Sequence, residues 1–199
     1  MNSQTMVRHF RSLVIVGVLV NAVSSSGFGK CPKQEPMDNF NLTRFTGRWY
    51  EIERTFYLIE LLYSCVTVEM ETVSNFKLNI SVISRSRWSD GITVSEGFAI
   101  QTRKEPSIFV YKVHSKLPRL ISKYLPASGA YQILDTDYDT YAILWSCSDY
   151  LIAHNDMIWI WGRQKELNVT TRANIYEILE MYQLDPERLT LPKNGNCLD

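Results

Sequence analysis

From Gly47 onward, apolar and polar residues alternate in short runs separated by turn formers. A period of two is the mark of a strand with one buried face. Eight such runs stand out: Gly47 to Arg54, Cys65 to Val73, Phe76 to Ser84, Ile92 to Ile100, Ile108 to His114, Ala130 to Asp135, Tyr141 to Ser148, and Met157 to Arg163. They are rich in β-branched and aromatic residues, and turn signals such as Ser74-Asn75 and Ser89-Asp90-Gly91 divide them. Several faces can be assigned directly. Val66, Val68 and Met70 oppose Thr67, Glu69 and Glu71; Leu78, Ile80 and Val82 oppose Lys77, Asn79 and Ser81; Phe109, Tyr111 and Val113 oppose Val110, Lys112 and His114.

After the eighth run the period changes. Ile175, Ile178, Leu179 and Tyr182 fall at i, i+3, i+4 and i+7, behind Thr170 as a candidate cap. This predicts one amphipathic helix outside the sheet, ending before Asp185-Pro186, with Arg188 to Leu191 as a last short strand. Eight antiparallel strands and one trailing helix predict an all-β fold, an eight-stranded up-and-down barrel, because closure removes exposed sheet edges. Such a barrel has room inside for side chains or one small ligand.

Length and composition fit this picture. The 199 residues are 45% hydrophobic and 12% aromatic, sufficient for a real core, with no internal repeat or low-complexity tract. Twenty-one basic residues balance twenty-one acidic ones without any basic run, which argues against nucleic acid as a partner. Arg8 and Arg11, the apolar run Leu13 to Val20 and the small residues Ala22-Val23-Ser24 form a secretory signal pattern. A transmembrane anchor would need about 20 apolar residues. Cleavage is expected after Ser24, with later points up to Gly29 open, leaving residues 25–199 as one domain with a net charge near −2.

In an oxidising compartment Cys31, Cys65, Cys147 and Cys197, which have no CxxC spacing, are expected to form two disulfides. Their number and spacing leave all three connectivities open. Asn41, Asn79 and Asn168 each begin an N-x-S/T sequon and should face solvent; alternation independently places Asn79 on a polar face.

Gly47-Arg48-Trp49-Tyr50 in the first strand, Asp135-Thr136-Asp137-Tyr138 between the sixth and seventh, and Gly162-Arg163 closing the eighth resemble the three signature regions of the lipocalins, in order and spacing. GRWYEIER and the run Tyr141 to Cys147 are similar to the apolipoprotein D and Lazarillo-type branch. The resemblance spans Cys31 to Cys197. It implies bridges Cys31–Cys147 and Cys65–Cys197, and a barrel base where Arg163 lies over Trp49 behind Gly47. A cation over an indole contributes about 0.5–2 kcal/mol.

The resemblance also implies a pocket at Met70, Val113, Tyr131 and Trp159. Met70 and Val113 stand where related proteins tend to carry aromatics, so the shape of the ligand is not carried over. Alternation extends the candidate lining to Val68, Leu78, Ile80, Val94, Phe98, Phe109, Tyr111, Ile133, Leu144 and Trp161. Each of these admits two roles, core filling or ligand contact.

TFYLIELLYS, residues 55–64, carries seven large apolar or aromatic residues between the first two strands, among them Phe56, Leu58, Ile59 and Leu62. On the implied topology this connection crosses the open mouth. It admits three roles: a lid over the cavity, a segment buried on the protein's own surface, or a contact for a lipid surface or protein partner. Lys116 to Pro126, with Leu120, Ile121 and Tyr124, interleaves basic and apolar residues at the same end, as an interfacial segment would. A loop folded back on itself is the alternative.

No GxSxG, HExxH or paired-carboxylate motif suggests catalysis. We therefore expect no enzyme, metal or cofactor. Glu51 and Glu53 both fall on the Trp49 side of the first strand; one inside the barrel would pair with an arginine or orient a polar head group. The chain ends Asn196-Cys197-Leu198-Asp199 without a hydrophobic tail, so secretion as a free monomer is expected. The expected partner is a small hydrophobic ligand such as a fatty acid, sterol, retinoid, hydrocarbon or bilin. The alternative is an extracellular scaffold whose mouth loops contact a receptor, membrane or lipoprotein.

Overall fold

The computed structural model describes residues 26–56, 63–87, 91–114 and 129–192. The eight predicted runs form β2 (Gly47–Thr55), β3 (Tyr63–Ser74), β4 (Lys77–Ser86), β5 (Ile92–Gln101), β6 (Ile108–Val113), β7 (Gly129–Thr136), β8 (Tyr141–Asp149) and β9 (Ala153–Gly162). Each pairs antiparallel with the next, and β9 returns to β2, closing the barrel. β1 (Ser26–Phe28), which alternation did not predict, pairs with Ala153 to Asn155 of β9, while β10 (Leu189–Thr190) pairs with Thr55 and Arg54. β2 and β9 are paired only as far as Arg54 and Trp159, so these short strands cover the edges that part towards the mouth.

Two apolar layers share the sheet. The interior layer includes Trp49, Val68, Met70, Leu78, Phe109, Ile133 and Leu144. The outer one lies under α2 (Val169–Met181), where Ile175 and Leu179 are fully buried in one cluster with Ile143, Ile158 and Ile160. β8 is covered on both sides, with Ala142 and Leu144 in the interior cluster and Ile143 and Trp145 in the outer one. That is why Tyr141 to Trp145 is an unbroken apolar run instead of an alternating one.

The cap of α2 is Asn168, not Thr170. Asn168 has an extended backbone and its side chain accepts from the Thr171 amide at 2.8 Å, while Thr170 lies inside the first turn. A short helix α1 (Leu42–Phe45) precedes β2 and is likewise capped by a sequon asparagine, Asn41.

These elements seal the barrel base. Trp49 is fully buried, its indole N–H donates to the Phe45 carbonyl at 2.9 Å, and the Arg163 guanidinium lies 3.7 Å from the centre of its ring. Arg163 also donates to the carbonyls of Tyr138, Arg48, Arg44 and Thr46. Gly47 has a φ of +93°, and a Cβ there would come within 3.4 Å of Arg163. The Cys31–Cys147 disulfide is present. Cys65 is also disulfide-bonded, and Cys197, its expected partner, lies outside the described residues.

Candidate ligand cavity

Above the Trp49 base the barrel encloses a cavity of about 720 Å³ that opens towards the mouth. Eleven of the residues nominated from the sequence, twelve with Trp161, line it: Val68 and Met70 on β3, Leu78 and Ile80 on β4, Phe109, Tyr111 and Val113 on β6, Tyr131 and Ile133 on β7, Leu144 on β8 and Trp159 on β9. Trp161 joins them. Tyr111, Tyr131 and Trp159 form a chain of ring contacts, with centroids 6.4 and 5.2 Å apart. Burial pushes the Tyr111 hydroxyl above its ordinary pKa.

Phe98 and Val94 are corrections. On β5 the large apolar residues face outward and the small ones inward. Phe98 sits opposite the exposed Asn79, with Lys77 over its ring at 4.7 Å and His114 at 5.7 Å, and Val94 is exposed; Thr93, Ser95 and Ala99 line the cavity instead. The physical reason is space. Tyr111 fills the room beside Gly97, where an added Cβ would fall 2.8 Å from the Tyr111 oxygen and 2.4 Å from the Lys112 carbonyl.

A bulge decides the fate of the two glutamates. Between Glu51 and Glu53 the register of β2 on β9 shifts by one, so Glu51 opposes Trp161 and Glu53 opposes Ile160. Glu51 stays inside and pairs with Arg54 at 2.9 Å; both line the cavity, their side chains 5% and 11% exposed. Glu53, expected on the Trp49 side, instead turns outward to Arg172 at 2.8 Å and accepts from the Tyr176 hydroxyl at 2.7 Å. Burial, reinforced by the bond to Glu53, pushes Tyr176 up to about 12. Arg54 was not nominated from the sequence, because strict alternation from Trp49 puts it on the outer face.

At the mouth, Phe56 is 39% exposed. Leu58, Ile59, Leu62, Leu120, Ile121 and Tyr124 lie outside the described residues. The β8–β9 turn brings Tyr150, Leu151 and Ile152 into solvent, and β1 adds the exposed Phe28 beside them. All three sequon asparagines are exposed. Among the described residues no group of three or more His, Cys, Asp or Glu could hold a metal ion, and no helix is long and apolar enough to cross a membrane.

The closed barrel, the sealed base and the trailing helix stand together with a profile match: residues 46–194 fit the lipocalin / cytosolic fatty-acid binding protein family. The chain belongs to the lipocalin family. This lipocalin is 33% identical to apolipoprotein D of Cavia porcellus over 175 residues, covering 86% of each chain. It is 28% identical to the Lazarillo protein of Schistocerca americana, covering 90% of this chain and 80% of that one. Among solved structures, insecticyanin of the tobacco hornworm Manduca sexta superposes with a TM-score of 0.71 at 20% identity, over 84% of this chain and 88% of the other. Lobster apocrustacyanin A1 gives 0.71 at 20% identity over 87% and 93%. Both likenesses concern the fold.

Proposed function

We propose that this lipocalin is a secreted carrier that takes a small hydrophobic ligand into its barrel and transports or sequesters it. The observation that carries this reading is the cavity of about 720 Å³. Its β3, β4 and β6 walls are almost wholly apolar, and its volume falls in the range of roughly 300–1,000 Å³ common for small-molecule pockets. Each ligand CH₂ moved from water into such a site contributes about 0.8 kcal/mol. The likeness to apolipoprotein D and the Lazarillo protein supports the same reading. The N-terminal pattern and the Cys31–Cys147 bridge support secretion, with glycans at Asn41, Asn79 and Asn168. The chemistry on offer is binding, with no catalytic step.

The test is a tryptophan-fluorescence titration against a fatty acid, a sterol, a retinoid and a bilin. At least one should quench at a one-to-one ratio, and Trp159→Phe should remove much of the quenching. No response to any of the four, with the protein folded, would sink the carrier reading.

The exposed Phe28, Tyr150, Leu151 and Ile152 favour a second role, contact of the mouth rim with a lipid or receptor surface. Liposome binding that survives Leu151→Ser with Ile152→Ser counts against a lipid contact there.

A further inference from the structure

The outer wall of the barrel carries an apolar strip. α2 packs over the outer side of β8 and β9, and among the described residues β5 and β6 have no such cover. There Ile92, Val94, Ile100 and Val110 are exposed and Phe98 is half-buried. The register sets Ile100 beside Val110 and Phe98 beside Asn79. Large apolar side chains grouped in the open ask for an occupant.

Asn79 supplies one. It is exposed on the same face, while Ile80, the middle residue of its sequon, lines the cavity. The strands on its two sides differ. On β3 its cross-strand neighbour is Glu71, next to the Arg48–Glu69 ion pair, whereas on β5 it is Phe98. Directly opposed Cβ atoms stand about 4.5–5.5 Å apart and diagonal ones, such as those of Asn79 and Ile100, about 7–8 Å; Val110, two strands away, is roughly 10 Å from Asn79. All three apolar residues are within the span of the first two sugars of an N-linked chain. The C–H faces and N-acetyl methyl groups of those sugars leave water when they lie on Phe98 and Ile100, and meet charge when they lie on β3.

We propose that the N-glycan of Asn79 folds back over the outer face of β5 and β6, its first sugars covering Phe98, Ile100 and Val110. The sugar is transferred to the unfolded nascent chain, so a position within a strand is no obstacle. Asn79 Nδ2 loses a proton and bonds to C1 of the sugar as the C1–O bond to a polyprenyl diphosphate breaks and the diphosphate leaves. Lys77 and His114 already flank the Phe98 ring, and the glycan completes its cover.

This inference rests on the reading of Asn79 as a glycan acceptor, and the experiment separates the two. Protein secreted by eukaryotic cells is deglycosylated by an amidase in ¹⁸O water, and ¹⁸O at residue 79 reports occupancy. In the intact glycoprotein, nuclear Overhauser contacts should join the first two sugars to Phe98 and Ile100. Asn79→Gln, and Ser81→Ala, which removes the sequon but keeps Asn79, should each lower the melting temperature by about 2–4 °C, the order expected from uncovering a few apolar side chains in a chain of this length. In a Phe98→Thr, Ile100→Thr background the same changes should cost less than about 1 °C. If a sequon variant fails to fold, the contacts in wild type carry the test. An occupied Asn79 without those contacts, an equal loss in both backgrounds, or liposome binding or self-association of the glycoprotein that Ile100→Thr abolishes would overturn the inference while leaving the glycan reading intact. An unoccupied Asn79 would overturn both.

Discussion

The Arg163 guanidinium lies 3.7 Å from the centre of the Trp49 indole while its N–H groups reach four backbone carbonyls across the barrel base. One residue at the end of β9 thus ties α1, the start of β2 and the β7–β8 turn to a single plug. Arg163→Ala removes the cation–π contact and leaves those carbonyls short of a donor, so it should cost about 2–4 kcal/mol in urea unfolding. Arg163→Lys keeps the charge but loses the planar fork and should recover less than half of that. An unchanged midpoint for Arg163→Ala would contradict this account of the base.

The outer cluster depends on α2. Leu179 and Ile175 are fully buried there, and Leu179→Ala should destabilise the protein by about 2–5 kcal/mol. Val169→Ala, on an exposed position of the same helix, should change stability by less than about 0.5 kcal/mol. Denaturant midpoints of the two variants give the comparison.

Asp137 gives the turn between β7 and β8 a pH dependence. Burial pushes its carboxyl up, but amides of Tyr141, Thr140 and Asp139 bond it and together outweigh burial, so the group titrates below the ordinary carboxylate range. A lowered folded-state pKa means the contribution is complete above the unfolded value of about 3.9 and is lost as pH falls through the folded value. Asp137→Asn should therefore lower the melting temperature at pH 7 and shrink the difference from wild type as pH drops below about 4. A constant difference from pH 7 to pH 2 would contradict it.

The Glu51–Arg54 pair sits in a wall of low polarity, where removing one member costs more than removing both. Arg54→Met should destabilise by about 3–5 kcal/mol at pH 7. Adding Glu51→Gln should restore most of the loss. A double variant no more stable than Arg54→Met would show that the two charges are not coupled.

Much of the fold was legible because burial on one face writes itself as alternation. β3, β4 and β6 were read with the correct faces, and the motif around Trp49 and Arg163 pointed to the sealed base. The errors share a cause: they fall where the barrel departs from that rule. β5 presents Thr93, Ser95 and Ala99 to the cavity because Tyr111 already fills the space at Gly97, so apolar Phe98 faces out. The bulge at Ile52 puts Arg54 inside and Glu53 outside, and no residue type there announces it. Asn168 was read as a glycan acceptor and not also as the helix cap, although one side chain can serve both uses, since the cap engages Oδ1, which accepts from Thr171, and a glycan would be carried on Nδ2.

The central claim, that the barrel is a loaded carrier, is tested most directly by mass spectrometry of a solvent extract from protein secreted by eukaryotic cells. The account predicts one apolar species near one mole per mole of protein, lost when the cavity is filled by Ala99→Phe. A clean extract from folded wild-type protein, together with no quenching by any lipid added back, would contradict it.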